Sequence, residues 1–118
     1  MNKRQIGTKY EELAAAYLQE HGYRILGCNV RCRHGELDIV AAGPDGTLTA
    51  VEVKYRSSDA YGDALEAVGI KKQKTISSCM QEYLVRHGLT GRACRFDVIA
   101  VYGDGSLCHV ADAFPFRG

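Results

Sequence analysis

Long apolar runs are missing from this chain of 118 residues. None approaches the roughly 18 consecutive apolar residues that a membrane-spanning helix requires, so we expect no membrane partner. Residues 1–5 are polar and lead into no apolar segment, which predicts that the chain carries no secretory signal. These absences favour a soluble globular protein of the cytoplasm.

Cysteine pairs in a metal-binding or disulfide pattern are missing as well. The five cysteines are an odd number, scattered over positions 28, 32, 79, 94 and 108 without a CxxC pair. This pattern favours reduced thiols in a cytosol over a disulfide framework. A zinc site at Cys28, Cys32 and His34 would have an unusual ligand spacing and no obvious fourth ligand.

A strong excess of charge of one sign is also absent, because the net charge is only +1. Any nucleic-acid role therefore has to rest on a local basic patch. The candidates for that patch are Arg31, Arg33, Lys54, Arg56, Lys71, Lys72 and Lys74. The last three lie near the start of a predicted helix. Cations there oppose the helix dipole, which is unfavourable unless a nearby anion compensates their charge. The alternative for these lysines is a solvated charged face.

What the sequence does contain is one ordered series of predicted helices and strands. The length, with 46% hydrophobic and 25% charged residues, suits one globular domain with a single core. Residues 8–21 repeat apolar side chains at helical spacing, and Gly22 ends that helix. Strands are predicted at residues 23–32, 36–42, 47–55, 95–102 and 107–111. A polar loop covers residues 57–62, and a second helix, capped or broken at Gly69, ends near Gly88. The order α-β-β-β-α-β-β predicts a single α/β (mixed α+β) domain over residues 1–118.

The stretch from Gly35 to Arg56 reads as two strands joined by a tight turn. Gly43 and Gly46 allow positive φ and Pro44 pre-sets a turn dihedral, which predicts a hairpin. In the first strand, alternation places Glu36, Asp38 and Val40 on one face and Leu37, Ile39 and Ala41 on the other. In the second strand, one face carries Leu48, Ala50, Glu52, Lys54 and Arg56. The other face of the same strand carries Thr49, Val51, Val53 and Tyr55. Since both faces carry apolar residues, we expect central strands covered on both sides.

Charged side chains interrupt this predicted core. Residues two apart on a strand point the same way, so Glu52 and Lys54 present a carboxylate and an ammonium group side by side. Counting outward from the turn brings Asp38 close to Glu52. Two close carboxylates repel each other unless a cation lies between them, and oxygen ligands suit Mg²⁺ or Mn²⁺. The alternative is a buried salt bridge between Glu52 and Lys54 near Asp38.

Glu11 lies on the flank of the apolar stripe of the first helix, in position to face the body of the domain. Glu12 lines up with a more exposed side. Either carboxylate is also favoured by the dipole in the first helical turn, without any functional role. The helical pattern alone favours this simpler explanation.

Together these residues resemble a known catalytic signature. Asp38 followed by Glu52-Val53-Lys54 resembles the motif of the PD-(D/E)XK nuclease superfamily, whose core order is α-β-β-β-α-β. The resemblance is closer still to the small bacterial YraN-like proteins, which are similar to archaeal Holliday-junction resolvases. The matching segments are Gly7 to Glu11 with Ala15, Tyr17 and Leu18, Asn29-Val30-Arg31, Gly35-Glu36-Leu37-Asp38, Val51 to Arg56, Lys72-Gln73, and Arg95-Phe96-Asp97-Val98. Leu37 stands where the superfamily motif has proline.

The resemblance implies a restriction-endonuclease-like fold and a divalent-metal-dependent endonuclease. By this resemblance Asp38 and Glu52 bind Mg²⁺ or Mn²⁺, and Lys54 assists the nucleophilic water. It also makes Glu11 a further acidic residue of the catalytic site, against the simpler explanation from the helix pattern.

Two accessory residues and a homodimer are further expectations. Gln73 matches a helix position that some superfamily members turn toward the active site, and Glu36 shares the predicted strand face of Asp38. Related resolvases act as dimers because two strands must be cut, which makes a homodimer an expectation of the resemblance alone.

DNA is the expected partner. The basic residues named above would contact phosphates in a sequence-independent, salt-sensitive way. No aromatic-rich stacking platform or groove-reading helix stands out, which favours recognition of DNA shape or backbone. Tyr55 and Tyr61 are candidates for stacking on bases, but Tyr55 falls on the face opposite Glu52 and is predicted to be core. Asp97 reads as a structural strand residue and His109 as a lone surface histidine.

The leading hypothesis is therefore a metal-dependent DNA endonuclease, with branched DNA of the Holliday-junction type as a candidate substrate. The alternative is a nucleic-acid-binding module that keeps the fold without cleaving. A third hypothesis is an interaction or structural domain in which the carboxylates and Lys54 form only a salt-bridge network.

Overall fold

A computed structural model describes residues 3–56 and 68–117, which form a five-stranded sheet with one helix on each face. The chain runs through α1 (Lys3–Glu20), β1 (Arg24–Cys32), β2 (Gly35–Ala42), β3 (Leu48–Arg56), α2 (Ile70–Arg86), β4 (Cys94–Tyr102) and β5 (Leu107–Phe114). This order confirms the predicted αβββαβ(β) fold. The predicted loop at 57–62, with Tyr61, lies outside the described residues. None of the helices described here is long and apolar enough to cross a membrane.

Both helices end on a glycine, as the sequence predicts. Gly22 adopts a φ of 86°, and the N–H of Tyr23 donates to the carbonyl of Leu18 at 2.9 Å. Gly88, with a φ of 66°, ends α2 in the same way. Such a bond satisfies a carbonyl that the last helical turn leaves open, at a φ that costs glycine little. Two bounds differ from the prediction by more than one residue: α1 begins at Lys3 rather than at residue 8, and β5 continues to Phe114 rather than ending at 111.

The strands follow their sequence order across the sheet, β1-β2-β3-β4-β5. The pairs β1–β2, β2–β3 and β4–β5 are antiparallel, whereas β3 and β4 are parallel and are connected through α2. The turn between β2 and β3 is the predicted hairpin, since the N–H of Gly46 donates to the carbonyl of Gly43 at 2.8 Å and Gly46 has a φ of 85°. The mixed sheet thus combines three antiparallel pairs with one parallel crossover.

Apolar cores cover both faces of the sheet, which confirms that β2 and β3 are central strands. The core under α1 includes Ala14, Leu18, Ile39, Val51 and Ile99. The core under α2 includes Val40, Ala50, Ile76, Met80 and Val98. Both helices therefore bury their apolar stripes against the sheet, and the polar groups of the middle strands lie between these two cores.

Two residues depart from the predicted alternation. Leu37 packs with Val40 on the α2 side rather than with Ile39, because both β1 and β2 change face around Asn29, whose φ of 52° lies in the left-handed region. Tyr55 does face the α1 side, but its prediction as a core residue is wrong because 49% of it is exposed. Alternation along a strand predicts which face of the sheet a side chain occupies. It does not predict whether a helix covers that face at the position of the residue.

One pair of cysteines corrects the expectation of five reduced thiols. Cys32, at the end of β1, forms a disulfide with Cys79 of α2, across 47 residues of sequence. Among the described residues, Cys28, Cys94 and Cys108 are free. The disulfide also removes Cys32 from the zinc candidates. The sequence spacing hides this pair because it meets only when α2 packs over the β1–β2 turn.

Candidate active site

Asp38 lies where β2 and β3 separate. The ladder between these strands ends with Ile39 opposite Val51, as the predicted hairpin register requires. One residue further along β2, the carboxylate of Asp38 accepts a hydrogen bond from the backbone N–H of Val53 at 2.8 Å. This hydrogen bond lies beyond the last residue pair of the β2–β3 ladder. It holds the carboxylate of Asp38 in the gap between the two strands, beside Glu52.

Glu52 follows Val51 in β3 and is almost fully buried, with 5% of the residue exposed. Burial, the negative charge of Asp38 and a hydrogen bond between the two carboxyl groups raise the pKa of Glu52 to about 7. The positive charges of Lys72 and Lys54 lower this pKa but do not offset the rise. Burial and Asp38 therefore disfavour the charged form of Glu52 more than the two lysines favour it, a balance that one bound cation would reverse.

Two ammonium groups reach Glu52 from different elements. Nζ of Lys54 lies 3.4 Å from Oε2 of Glu52, on the face that strand alternation predicts. Nζ of Lys72, in the first turn of α2, lies 3.7 Å from the same oxygen. The sequence predicts Lys72 among the basic residues around this site, but no local pattern links α2 with β3, so the contact with Glu52 itself is not predicted. A cation in the first turn of a helix opposes the helix dipole, and the carboxylate of Glu52 compensates the charge of Lys72 at this position.

Glu11 joins the carboxylates from the other face of the sheet. Burial and the negative charges of Asp38 and Glu36 raise the pKa of Glu11, while a hydrogen bond from the side chain of Asn29 lowers it. Oε2 of Glu11 is buried and has no hydrogen-bond partner in the described part of the chain. A buried acceptor without a donor is costly, so this oxygen is directed at a place where a ligand or water would be favourable.

These donors fit a hard divalent cation. Within residues 3–56 and 68–117, no three acidic, histidine or cysteine side chains form a set that could hold a metal by themselves. Mg²⁺ commonly takes only one or two protein carboxylates and completes its shell with water and substrate phosphate. The close pair of Asp38 and Glu52, with the unpartnered oxygen of Glu11 nearby, matches that requirement.

The accessory candidates have different surroundings. Gln73 is buried, and its amide is engaged at both ends: Nε2 donates to the carbonyl of Val68 at 2.9 Å, and Oε1 accepts from Nε of Arg117 at 2.6 Å. The structure thus directs this amide toward the C-terminal segment. Glu36 is half-buried opposite Arg31 in the β1–β2 ladder, where its charge reaches Glu11.

The basic candidates lie at three places around the described structure. Arg31 and Arg33 are exposed at the end of β1 and in the following turn, Lys71 and Lys74 are exposed near the start of α2, and Arg56 is half-buried at the end of β3. The backbone N–H of Arg33 donates to both oxygens of Glu82 at 3.2 Å, which ties the β1–β2 turn to α2. The remaining two basic candidates, Lys54 and Lys72, contact Glu52 directly.

A second buried carboxylate, Asp97, occupies the α1 face of β4 and is fully buried. It lies 2.7 Å from Nε2 of His109 and accepts from Nε of Arg95 at 3.1 Å, the N–H of Asp112 at 3.0 Å and the hydroxyl of Tyr23 at 3.3 Å. Burial raises the pKa of Asp97, but these donors hold it below its usual value. Asp97 is therefore a structural strand residue, as the sequence suggested.

His109 is not the lone surface histidine that the sequence analysis expected. Its side chain is 12% exposed, and Nδ1 lies 3.1 Å from the hydroxyl of Tyr17 while Nε2 contacts Asp97. The β4–β5 ladder places His109 opposite Ile99, two residues from Asp97 on the same side of the sheet. The available signal was that shared face, but it depends on a strand register that the sequence alone does not provide.

This chain is similar in sequence to the members of one protein family. The model described as Uncharacterised protein family UPF0102 matches residues 10–101. A UPF0102 protein of Syntrophus aciditrophicus (strain SB) is 53% identical over 111 residues, which covers 92% of this chain and 87% of the relative. A UPF0102 protein of Alkaliphilus oremlandii (strain OhILAs) is 52% identical over 103 residues, or 86% of each chain.

Two solved structures are more distantly similar. A repair endonuclease from Pyrococcus abyssi aligns with a TM-score of 0.44 and 18% identity, over 89% of this chain and 41% of that chain. SfsA of Pyrococcus furiosus, in complex with Ca²⁺, aligns with a TM-score of 0.35 and 13% identity, over 92% of this chain and 63% of that chain. This chain therefore spans less than two thirds of either structure. In agreement with the resemblance of its motifs, and by the family model that matches most of its length, the chain belongs to the uncharacterised protein family UPF0102.

Proposed function

We propose that this protein is a divalent-metal-dependent endonuclease that hydrolyses phosphodiester bonds in DNA, in the cytoplasm. The observation that carries the proposal is the close pair of carboxylates, half-buried Asp38 and buried Glu52, with the ammonium group of Lys54 3.4 Å from Glu52. This is the side-chain set of the PD-(D/E)XK signature, held together by the β2–β3 hairpin. Branched DNA of the Holliday-junction type is the substrate class that the motif resemblance favours.

Each residue has a distinct role in this proposal. Asp38 and Glu52 would hold Mg²⁺ or Mn²⁺, and a bound ion of this kind supplies Lewis-acid stabilisation of charge on the phosphoryl group. Lys54 would orient the attacking water and neutralise developing negative charge. Glu11 adds an acceptor, Oε2, that is available to orient a water molecule.

A second candidate function rests on the same lysines. Lys54 and Lys72 both approach Oε2 of Glu52, so two protein cations already supply part of the charge that a metal would bring. A nucleic-acid-binding module that does not cleave would retain this arrangement. The exposed lysines near the start of α2 would then serve phosphate binding only.

A cleavage panel separates the two functions. Wild type, Asp38→Asn and Glu52→Gln are incubated with linear, single-stranded, flap and four-way DNA in Mn²⁺ or Mg²⁺, with EDTA as the reference. We expect metal-dependent cleavage by wild type and a loss of roughly 100-fold or more in both variants, the usual scale for removing a group that stabilises transition-state charge. The matched control is Glu12→Gln, which changes an exposed carboxylate next to Glu11.

The possible results point in different directions. Cleavage that persists in EDTA, or that is unchanged in both site variants, would overturn the endonuclease proposal. Salt-dependent DNA binding by wild type without turnover on any substrate would favour the non-cleaving module. Circular dichroism of each variant shows whether a loss of activity reflects a loss of fold.

A further inference from the structure

An aromatic pair stands at the end of β3, on the sheet face opposite Glu52. The ring of Tyr55 stacks on the ring of Tyr10 from α1, with centroids 4.6 Å apart and planes inclined by 22°. Tyr55 is nevertheless 49% exposed, so the stack leaves a large part of its surface open to solvent. A tyrosine supported by a second ring is a rigid, pre-organised apolar surface, which reduces the entropy lost when a ligand binds.

A cleft of about 350 Å³ opens beside these rings. Its walls include Lys9 and Leu13 of α1 and the turn around Asp104 between β4 and β5. Leu13 is itself 42% exposed, so two large hydrophobic side chains share one open cleft. The volume lies at the lower end of the range typical of small-molecule sites, and the walls combine apolar surface with one ammonium group.

We infer that this cleft binds an unpaired nucleobase of a single-stranded DNA segment, with the base on Tyr55 and a phosphate near Lys9. The inference rests on the proposed function, which supplies nucleic acid as the ligand class. Bases stack on aromatic side chains regardless of sequence, because every base has a π-face. The exposed ammonium group of Lys9 supplies the charge that complements a phosphate.

The charged side chains that line the cleft are one ammonium group and one carboxylate, so their formal charges cancel. Asp104 is the acidic group that lines it, and Oδ1 of Asp104 accepts hydrogen bonds from the N–H and the hydroxyl of Ser106, at 2.9 and 2.6 Å. That oxygen is thus engaged in stabilising the β4–β5 turn. Lys9 extends from α1 on the other side of the cleft.

The cleft lies at the end of β3, on the face of the sheet opposite the carboxylate site. Tyr55 follows Glu52 by three residues in β3, or about 10 Å along the strand at roughly 3.3 Å per residue. A base in a continuous duplex has to leave its stack before it can bind such a platform, whereas a base in a flap or a single-stranded arm is already free. The inference therefore specifies substrates with an unpaired segment next to the cleaved bond.

The test measures DNA binding in EDTA, where no cleavage occurs. Fluorescence anisotropy gives the affinity of wild type, Tyr55→Ala and Tyr55→Phe for a labelled single-stranded oligonucleotide and for a duplex of the same length. We expect Tyr55→Ala to bind the single strand roughly 5- to 100-fold more weakly, the scale of one stacked base. Tyr55→Phe keeps the ring and should stay close to wild type. Duplex binding should be equal in all three proteins.

A second measurement does not depend on the stability of any single variant. One base at a time is removed from the oligonucleotide, leaving an abasic sugar. In wild type, one abasic position should weaken binding about as much as Tyr55→Ala does, and the two changes together should not add. A free deoxynucleoside monophosphate should compete only at far higher concentrations than the oligonucleotide.

Each outcome bears on the inference separately from the proposed cleavage. Equal single-strand binding by wild type and Tyr55→Ala, or no sensitive abasic position, would overturn it even if the protein cleaves DNA. Equal competition by the mononucleotide would also overturn it, because the ligand would then not be a strand. Tyr55-dependent binding without metal-dependent cleavage would support the inference while the endonuclease proposal fails. No binding of any nucleic acid by wild type would overturn both.

Discussion

Two buried carboxylates on neighbouring strands have pKa values that shift in opposite directions. Glu52 of β3 faces α2, and its pKa rises to about 7 through burial and the charge of Asp38. Asp97 of β4 lies opposite Val51 in the parallel ladder and faces α1, and its pKa falls despite burial. The two side chains are equally inaccessible to bulk solvent, so the difference comes from their partners.

Those partners explain what each carboxylate does. Asp97 is surrounded by donors from Tyr23, Arg95, His109 and the backbone of Asp112, which satisfy its charge within the protein. Glu52 instead shares its surroundings with a second carboxylate and two partly exposed lysines. A buried charge with a full set of hydrogen-bond donors stabilises a fold, whereas a buried carboxyl group whose pKa is raised beside a second carboxylate is typical of a functional site.

The largest effect on this comparison is expected from removing Asp97. Asp97→Ala leaves Arg95 and His109 without their buried acceptor, so we expect the free energy of unfolding to fall by about 3–5 kcal/mol. Urea unfolding at neutral pH measures the change. The control Glu12→Ala removes an exposed carboxylate and should stay within about 0.5 kcal/mol of wild type. A loss below about 1 kcal/mol for Asp97→Ala would show that its donors find other partners.

Glu52→Gln should act in the opposite direction. The folded-state pKa of Glu52 is raised from 4.5 to about 7, so the native state favours the protonated form. The stability that protonated Glu52 contributes is present below pH 4.5 and is lost as the pH rises from 4.5 to about 7. At about pH 8 the charged carboxyl costs the fold up to about 3 kcal/mol, which glutamine avoids. We therefore expect Glu52→Gln to be more stable than wild type at that pH, and close to it near pH 5, in paired urea titrations. A variant that is less stable at about pH 8 would mean that the contacts with Lys54 and Lys72 outweigh the repulsion by Asp38.

The smallest effect tests whether a cation supplies the missing charge. A divalent ion at ten times its dissociation constant should raise the free energy of unfolding of wild type by about 1.4 kcal/mol. The effect should be larger at about pH 8 than at about pH 6, because protons compete for Glu52 at the lower pH. Thermal unfolding with Mg²⁺ or Mn²⁺, against NaCl of equal ionic strength, measures it. Asp38→Asn and Glu52→Gln should abolish the shift, whereas Asp97→Asn should retain it. An equal shift in all three variants would place the ion elsewhere.

Much of the frame of this molecule could be predicted from local pattern. Helix ends at Gly22 and Gly88, the hairpin turn and the β2–β3 register all follow from turn chemistry and hydrophobic alternation. The register in turn places Asp38 beside Glu52. Where local geometry breaks the alternation, the prediction fails: Asn29 in the left-handed region reverses the faces of the adjoining residues and moves Leu37 to the α2 core.

The sequence by itself thus determined the strands, their turns and the neighbouring charges of Glu52 and Lys54, because these depend on residues a few positions apart. Only the tertiary structure decided which distant groups meet them. It brings Glu11 toward Asp38 and Lys72 to Glu52, and it surrounds Asp97 with its donors. The physical reason is that each of these contacts requires a helix or strand to pack on one face of the sheet and at one position along it. Two cores, covering both sides of the sheet, set those positions, and no local repeat in the chain encodes them.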